Sequence, residues 1–75
     1  MAADEIAGLI RSGLPGAEVE ITDLAGDGDH YAARVVWAGF RGKPRVAQHK
    51  AVYAALEGRM GGALHALQLT TAVPN

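Results

Sequence analysis

Five stretches of this 75-residue chain carry apolar residues at a regular period, and the period changes from one stretch to the next. Residues 3–13 place Ile6, Leu9, Ile10 and Gly13 at helical spacing, and Asp4 and Glu5 suit the positive N-terminal end of a helix. Gly13, Pro15 and Gly16 stop that helix and turn the chain. Residues 17–23 alternate: Ala17, Val19 and Ile21 take one side, while Glu18, Glu20 and Thr22 take the other. Such a period predicts a half-buried strand. After a loop that holds Gly26, Gly28 and three aspartates comes a second strand, from about Tyr31 to Ala38. Ala33, Val35 and Trp37 share one of its faces, and Val36 on the other face predicts a central position in a sheet.

Gly39-Phe40-Arg41-Gly42-Lys43-Pro44 breaks the second strand, with a short helical turn expected near Gly39–Arg41. Pro44 suits the start of a helix, where its missing N–H costs nothing. The spacing predicts the longest helix over 45–60, with Val46, His49, Tyr53, Leu56 and Met60 as one apolar stripe. Gly61-Gly62 ends it. A third strand is expected at 66–72, with Leu67 and Leu69 inward. The order is therefore α-β-β-α-β in a single domain spanning 1–75. The first two strands form an antiparallel hairpin, and the strand-helix-strand crossover that follows makes strands two and three parallel. This predicts an α+β fold: a three-stranded mixed sheet, strand two in the centre, packed on one side by helices.

Composition narrows the chemistry. The chain has no cysteine, so it forms no disulfide and offers no thiolate, which fits a reducing compartment. The N-terminus lacks a basic flank and an apolar core of the secretory type, and no apolar run approaches the roughly 20 residues needed to span a bilayer. A soluble, cytoplasmic protein without membrane contact is expected. There is no GxSxG motif, Ser12 is the sole serine, and Gly42-Lys43 is followed by Pro44, which breaks a phosphate-loop pattern. A non-enzyme is expected.

The net charge of −1 does not mark the whole chain as a nucleic-acid binder. Four of its seven Lys/Arg nevertheless fall between 41 and 50: Arg41, Lys43, Arg45 and Lys50. They read either as a solvated helix start or as a local basic patch. Gly39-Phe40-Arg41-Gly42 also fits the GxxG pattern with which some RNA-binding domains clamp a single strand, a pattern that ordinary turns share.

Two histidines carry the sharpest chemistry. His30 and His65 each fall at the N-terminal end of an expected strand. If strands two and three are parallel neighbours, both imidazoles leave the same edge of the sheet. Two imidazoles make half of a metal site, and closed structural sites take four ligands. Asp23, Asp27, Asp29 or a partner would supply the rest; the alternative is two solvated, unrelated loop histidines. His49, on the long helix, reads as a half-buried histidine that hydrogen-bonds the backbone, with phosphate contact as its alternative.

The segment Phe40-Arg41-Gly42-Lys43-Pro44-Arg45-Val46-Ala47-Gln48-His49-Lys50-Ala51-Val52-Tyr53-Ala54-Ala55-Leu56 resembles the F-x-G-x-x-x-V-x-x-H-x-x-V-Y-x-x-L stretch of the BolA family. Gly26-Asp27-Gly28-Asp29-His30-Tyr31 is similar to the G-D-G-x-H-[FY] loop of its IbaG-like branch, and Leu64-His65-Ala66-Leu67 to the family's I-H-A-L segment. The likeness covers nearly the whole chain. It departs at Gln48, where many members carry arginine, and at Thr71-Ala72-Val73-Pro74-Asn75, which replaces a threonine-proline-glutamate ending.

The resemblance implies a class II KH-like domain. It also implies an adaptor that pairs with a monothiol glutaredoxin around a shared 2Fe-2S cluster, with one thiolate from the glutaredoxin and one from glutathione. By position, His65 matches the family's C-terminal histidine ligand and His30 its variable Cys/His position. Such a complex would act in iron-sulfur trafficking or in iron and redox sensing. The family is also described as transcriptional regulators. The matching DNA-contact positions here are Arg41, Gly42, Lys43, Arg45 and Lys50. A weak homodimer is left open.

Overall fold

The computed structural model of the protein describes residues 2–26, 30–56 and 66–74. Helix α1 (Ala3–Gly13) buries Ile6, Ala7 and Ile10, one stripe at i, i+1 and i+4, and carries Asp4 and Glu5 in its first turn and Arg11 in its last. Those charges oppose the partial charges at each end of the helix. No side chain caps its start at Ala2, and it ends where the Leu14 N–H donates to the Ile10 carbonyl.

Strand β1 (Glu18–Asp23) pairs antiparallel with β2 (His30–Val36), which pairs parallel with β3 (Ala66–Ala72), giving the order β1-β2-β3. The hairpin, the crossover and the central second strand are as the period pattern predicts. Tyr31, Ala33 and Val35 are buried on the helix side of β2, and Val36 is buried on the other side. The second strand is shorter than expected. The chain leaves the sheet at Trp37 for a 3-10 turn (Ala38–Phe40), although the Trp37 N–H still donates to the Ala72 carbonyl at 3.0 Å.

Aromatic packing explains that early exit. Trp37 and Phe40 meet edge to face, with ring centroids 5.2 Å apart and planes at 87°, a favoured arrangement for two quadrupoles. The Trp37 Nε1–H donates to the Pro15 carbonyl at 2.8 Å, which ties the end of β2 to the turn after α1. Gly39 sits against the indole, where a Cβ would come within 2.5 Å of the ring.

Helix α2 (Arg45–Ala55) corrects the expected stripe. Val52 and Ala55 are buried, as is Leu56 just past the last turn, whereas Val46 is 66% exposed and Tyr53 38% exposed. The helix is rolled toward Val52 and Ala55 from the orientation that the stripe Val46–His49–Tyr53–Leu56 implies, with Leu56 buried in both. Helix α1 sets the roll. A Cβ on Gly13 would lie 2.6 Å from the Ala55 Cβ, so the bare glycine lets the helices approach closely along their small residues. That contact draws Val52 and Ala55 inward and turns Val46 and Tyr53 out. Residues 57–60 of the expected helix, with Met60, lie outside the described residues, as do the hairpin residues 27–29.

The core lies between both helices and the sheet: Ile6, Ile10, Leu14, Tyr31, Val35, Phe40, Val52 and Leu56, flanked by half-buried Leu67 and Leu69. Both of these leucines are inward, as expected. Among the described residues, no helix is long and apolar enough to cross a membrane.

Candidate functional site

His30 is the first residue of β2, and its Cα partner on β3 is Ala66. The two strands are parallel, so both begin at the same edge of the sheet, and Ala66 directly follows His65 in sequence. His65 itself lies outside the described residues. The His30 side chain is exposed, and its carbonyl accepts the Leu24 N–H at 2.8 Å to close the hairpin.

Asp23 has a structural task at this mouth. Its Oδ1 accepts the N–H groups of Ala25 at 3.2 Å and Gly26 at 2.8 Å, the Asx-turn bonding that short acidic side chains favour. One oxygen of this candidate metal ligand is therefore committed to the turn. Asp27 and Asp29 lie outside the described residues. Among the described residues, no three His, Asp or Glu side chains gather as a metal site.

The glycine-containing loop stands at the other end of the sheet. The six residue steps of β2 from His30 to Val36 span roughly 20 Å, and the loop follows that far end. Gly42 takes φ +81°, and no atom lies near where its Cβ would be. The loop's GxxG character therefore splits: Gly39 answers to the Trp37 ring and Gly42 to backbone conformation. Arg41, Lys43, Arg45 and Lys50 are all exposed. The Arg41 Nη2 donates to the Pro74 carbonyl at 3.4 Å, so that side chain reaches toward the chain beyond β3.

Gln48 is the residue that sequence reasoning missed. Its Nε2 donates to the Lys43 carbonyl at 2.9 Å, and its Oε1 accepts the Thr71 hydroxyl proton at 2.5 Å. The Pro44 N-cap offers no side-chain bond, and the Gln48 bond is of another kind: an amide N–H given to the carbonyl that precedes the helix, not an oxygen offered to the first helical N–H groups. A glutamine one turn after a proline start is the sequence sign of this clamp.

His49 is half-buried, as expected, but its Nε2 is buried without a hydrogen-bond partner. The expected backbone bond is therefore not made through that nitrogen. The imidazole borders a cleft of about 250 Å³ between α2 and β3, lined also by Arg45, Leu69, Thr70 and Thr71.

These features define a small α+β domain: an antiparallel hairpin and a parallel crossover, with a histidine at the sheet's starting edge and a basic glycine-containing loop at the other. A family model described as BolA-like protein matches residues 14–75, and the chain belongs to that family. It is 35% identical over 71 residues to the uncharacterized protein RP812 of Rickettsia prowazekii, covering 95% of this chain and 92% of the relative. BolA1 from Arabidopsis thaliana has the same architecture, with a TM-score of 0.82 at 29% identity over 96% of this chain and 90% of that one. The BolA domain of SufE1 from Arabidopsis thaliana superposes with a TM-score of 0.80 at 27% identity, covering 99% and 95% of the two chains.

Proposed function

We propose that this chain is a BolA-like adaptor that binds a monothiol glutaredoxin and shares a 2Fe-2S cluster with it through His65 and His30. The observation that carries the reading is the parallel register, with His30 opposite Ala66, the residue after His65. His30 at the start of β2 and His65, one residue before β3 in sequence, would each offer an imidazole nitrogen to the cluster. Two such donors leave a cluster short of ligands, and a chain without cysteine has no thiolate to add. The partner's cysteine and glutathione complete the set. Imidazole in place of thiolate raises the potential of such a cluster, which suits sensing or transfer of iron-sulfur status.

The test mixes this chain with a monothiol glutaredoxin, glutathione, iron and sulfide and records the visible spectrum of the complex. His65→Ala is expected to abolish the mixed-ligand spectrum, and His30→Ala to shift its bands. Spectra unchanged in both variants would overturn the ligand assignment.

A second reading rests on a separate observation: Arg41, Lys43, Arg45 and Lys50 are exposed around a glycine with positive φ. On this reading the loop and first turns of α2 contact DNA phosphates, and the chain acts as a transcriptional regulator. Its affinity for duplex DNA would then fall steeply with salt. Absence of binding at low salt would remove it. The two readings use opposite ends of the sheet, so each test leaves the other site intact.

A further inference from the structure

The two edges of the sheet are built differently. The edge strand β1 carries Glu18, Glu20 and Asp23, three acids in six residues. Such charges discourage pairing with another strand. Strand β3, at the opposite edge, reads Ala-Leu-Gln-Leu-Thr-Thr-Ala, seven residues with no charge, proline or glycine. Among the described residues, no strand lies beyond it. A long, neutral edge of this kind is a template for strand addition.

We propose that β3 pairs antiparallel with β3 of a second copy of this chain, about a two-fold axis through Leu69, to make a continuous six-stranded sheet. Full-length overlap of a seven-residue strand with itself has only one centre, its fourth residue. In that register Leu69 faces Leu69, Gln68 faces Thr70 and Leu67 faces Thr71. Every one of these pairs is neutral, and each puts side chains of the same sheet face together, as antiparallel pairing requires. The same operation on β1 would stack acid near acid.

The helix beside the edge supports the same occupant. Val46 and Tyr53 stand at i−3 and i+4 from His49, which borders the cleft against Leu69, Thr70 and Thr71, so they share the flank of α2 toward β3. They are 66% and 38% exposed. A two-fold axis perpendicular to the sheet keeps the helices of both copies on one face, which brings this apolar flank toward its equivalent. Half-buried Leu67 and Leu69 gain cover from the partner copy. The two-fold also brings Arg45 of each copy, which lines the cleft against β3, toward the seam, so the dimer is expected to strengthen as salt screens these charges.

Gln68 and Thr70 are exposed, so charges placed there spare the core. The experiment follows self-association by sedimentation velocity over a concentration series. It uses the unaltered protein, the pair Gln68→Lys/Thr70→Lys, the pair Gln68→Glu/Thr70→Glu, and an equimolar mixture of the two variants, with circular dichroism to establish that each is folded. In the proposed register each variant alone sets like charges opposite each other twice. Each is expected to dimerise about tenfold more weakly than the parent, and the mixture to recover a dimer at least as strong. A parent chain that stays monomeric into the millimolar range would overturn the proposal and leave the edge to another protein's strand. Parental dimerisation by either variant, or no recovery on mixing, would also overturn it, because the interface would then lie elsewhere.

Discussion

The Thr71 hydroxyl on β3 donates to the side-chain oxygen of Gln48 on α2, while the amide nitrogen of the same glutamine holds the Lys43 carbonyl. One side chain thus fastens the basic loop, the start of the helix and the edge strand together. Gln48→Ala releases both bonds and is expected to destabilise the fold by about 1–3 kcal/mol, at roughly 0.5–1.5 kcal/mol for each bond. Urea denaturation of Gln48→Ala, Thr71→Val and the double variant would measure the coupling, expected at about 1 kcal/mol. A coupling of zero would mean that the pair does not hold in solution.

Gly13 has a different kind of necessity. Gly→Ala near a helix end ordinarily stabilises by up to about 1 kcal/mol, yet a methyl here would meet the Ala55 Cβ at 2.6 Å. Overpacking of this sort costs about 1–3 kcal/mol, so Gly13→Ala is expected to lower the urea midpoint. Gly8 is a control on the same helix, because no atom lies within 4 Å of its would-be Cβ. Gly8→Ala is expected to raise the midpoint.

The indole of Trp37 bonds the Pro15 carbonyl and packs on Phe40. Trp37→Phe keeps much of the packing and removes the bond, with an expected loss of about 1 kcal/mol. Phe40→Ala removes a fully buried ring and is expected to cost about 3–5 kcal/mol, enough to unfold much of a domain this small. Thermal melts followed by circular dichroism would rank the two, and the reverse order would refute this account of the corner.

Lys43 and Arg45 are exposed at the loop and at the start of α2. If the loop contacts DNA phosphates, Lys43→Ala and Arg45→Ala are each expected to reduce the slope of log affinity against log salt by about 0.9. Fluorescence anisotropy with a labelled duplex at several salt concentrations reads this directly. Slopes that do not change would remove these side chains from the interface.

The sequence by itself determined the elements and their connection. Alternation at Ala17, Val19 and Ile21, helical spacing at Ile6 and Ile10, and the breaks at Pro15 and Pro44 are local signals, and they suffice for the α-β-β-α-β order. The parallel relation of β2 and β3 follows as well, because a helical crossover between neighbouring strands permits little else. It was also legible that His30 would stand at the starting edge of the sheet.

Only the tertiary structure decided which face of α2 is buried. Val46 and Tyr53 look apolar in sequence, but the close approach that Gly13 permits at Ala55 turns them to the surface. That is a contact between residues 42 positions apart, and no local period encodes it. The end of β2 at Val36 depends likewise on an indole reaching the Pro15 carbonyl, and the role of Gln48 depends on Thr71 arriving from another element. Local periodicity sets what each segment can become. The roll of a helix, the last residue of a strand and the second partner of a side chain are set by packing between segments, where only distance in space matters.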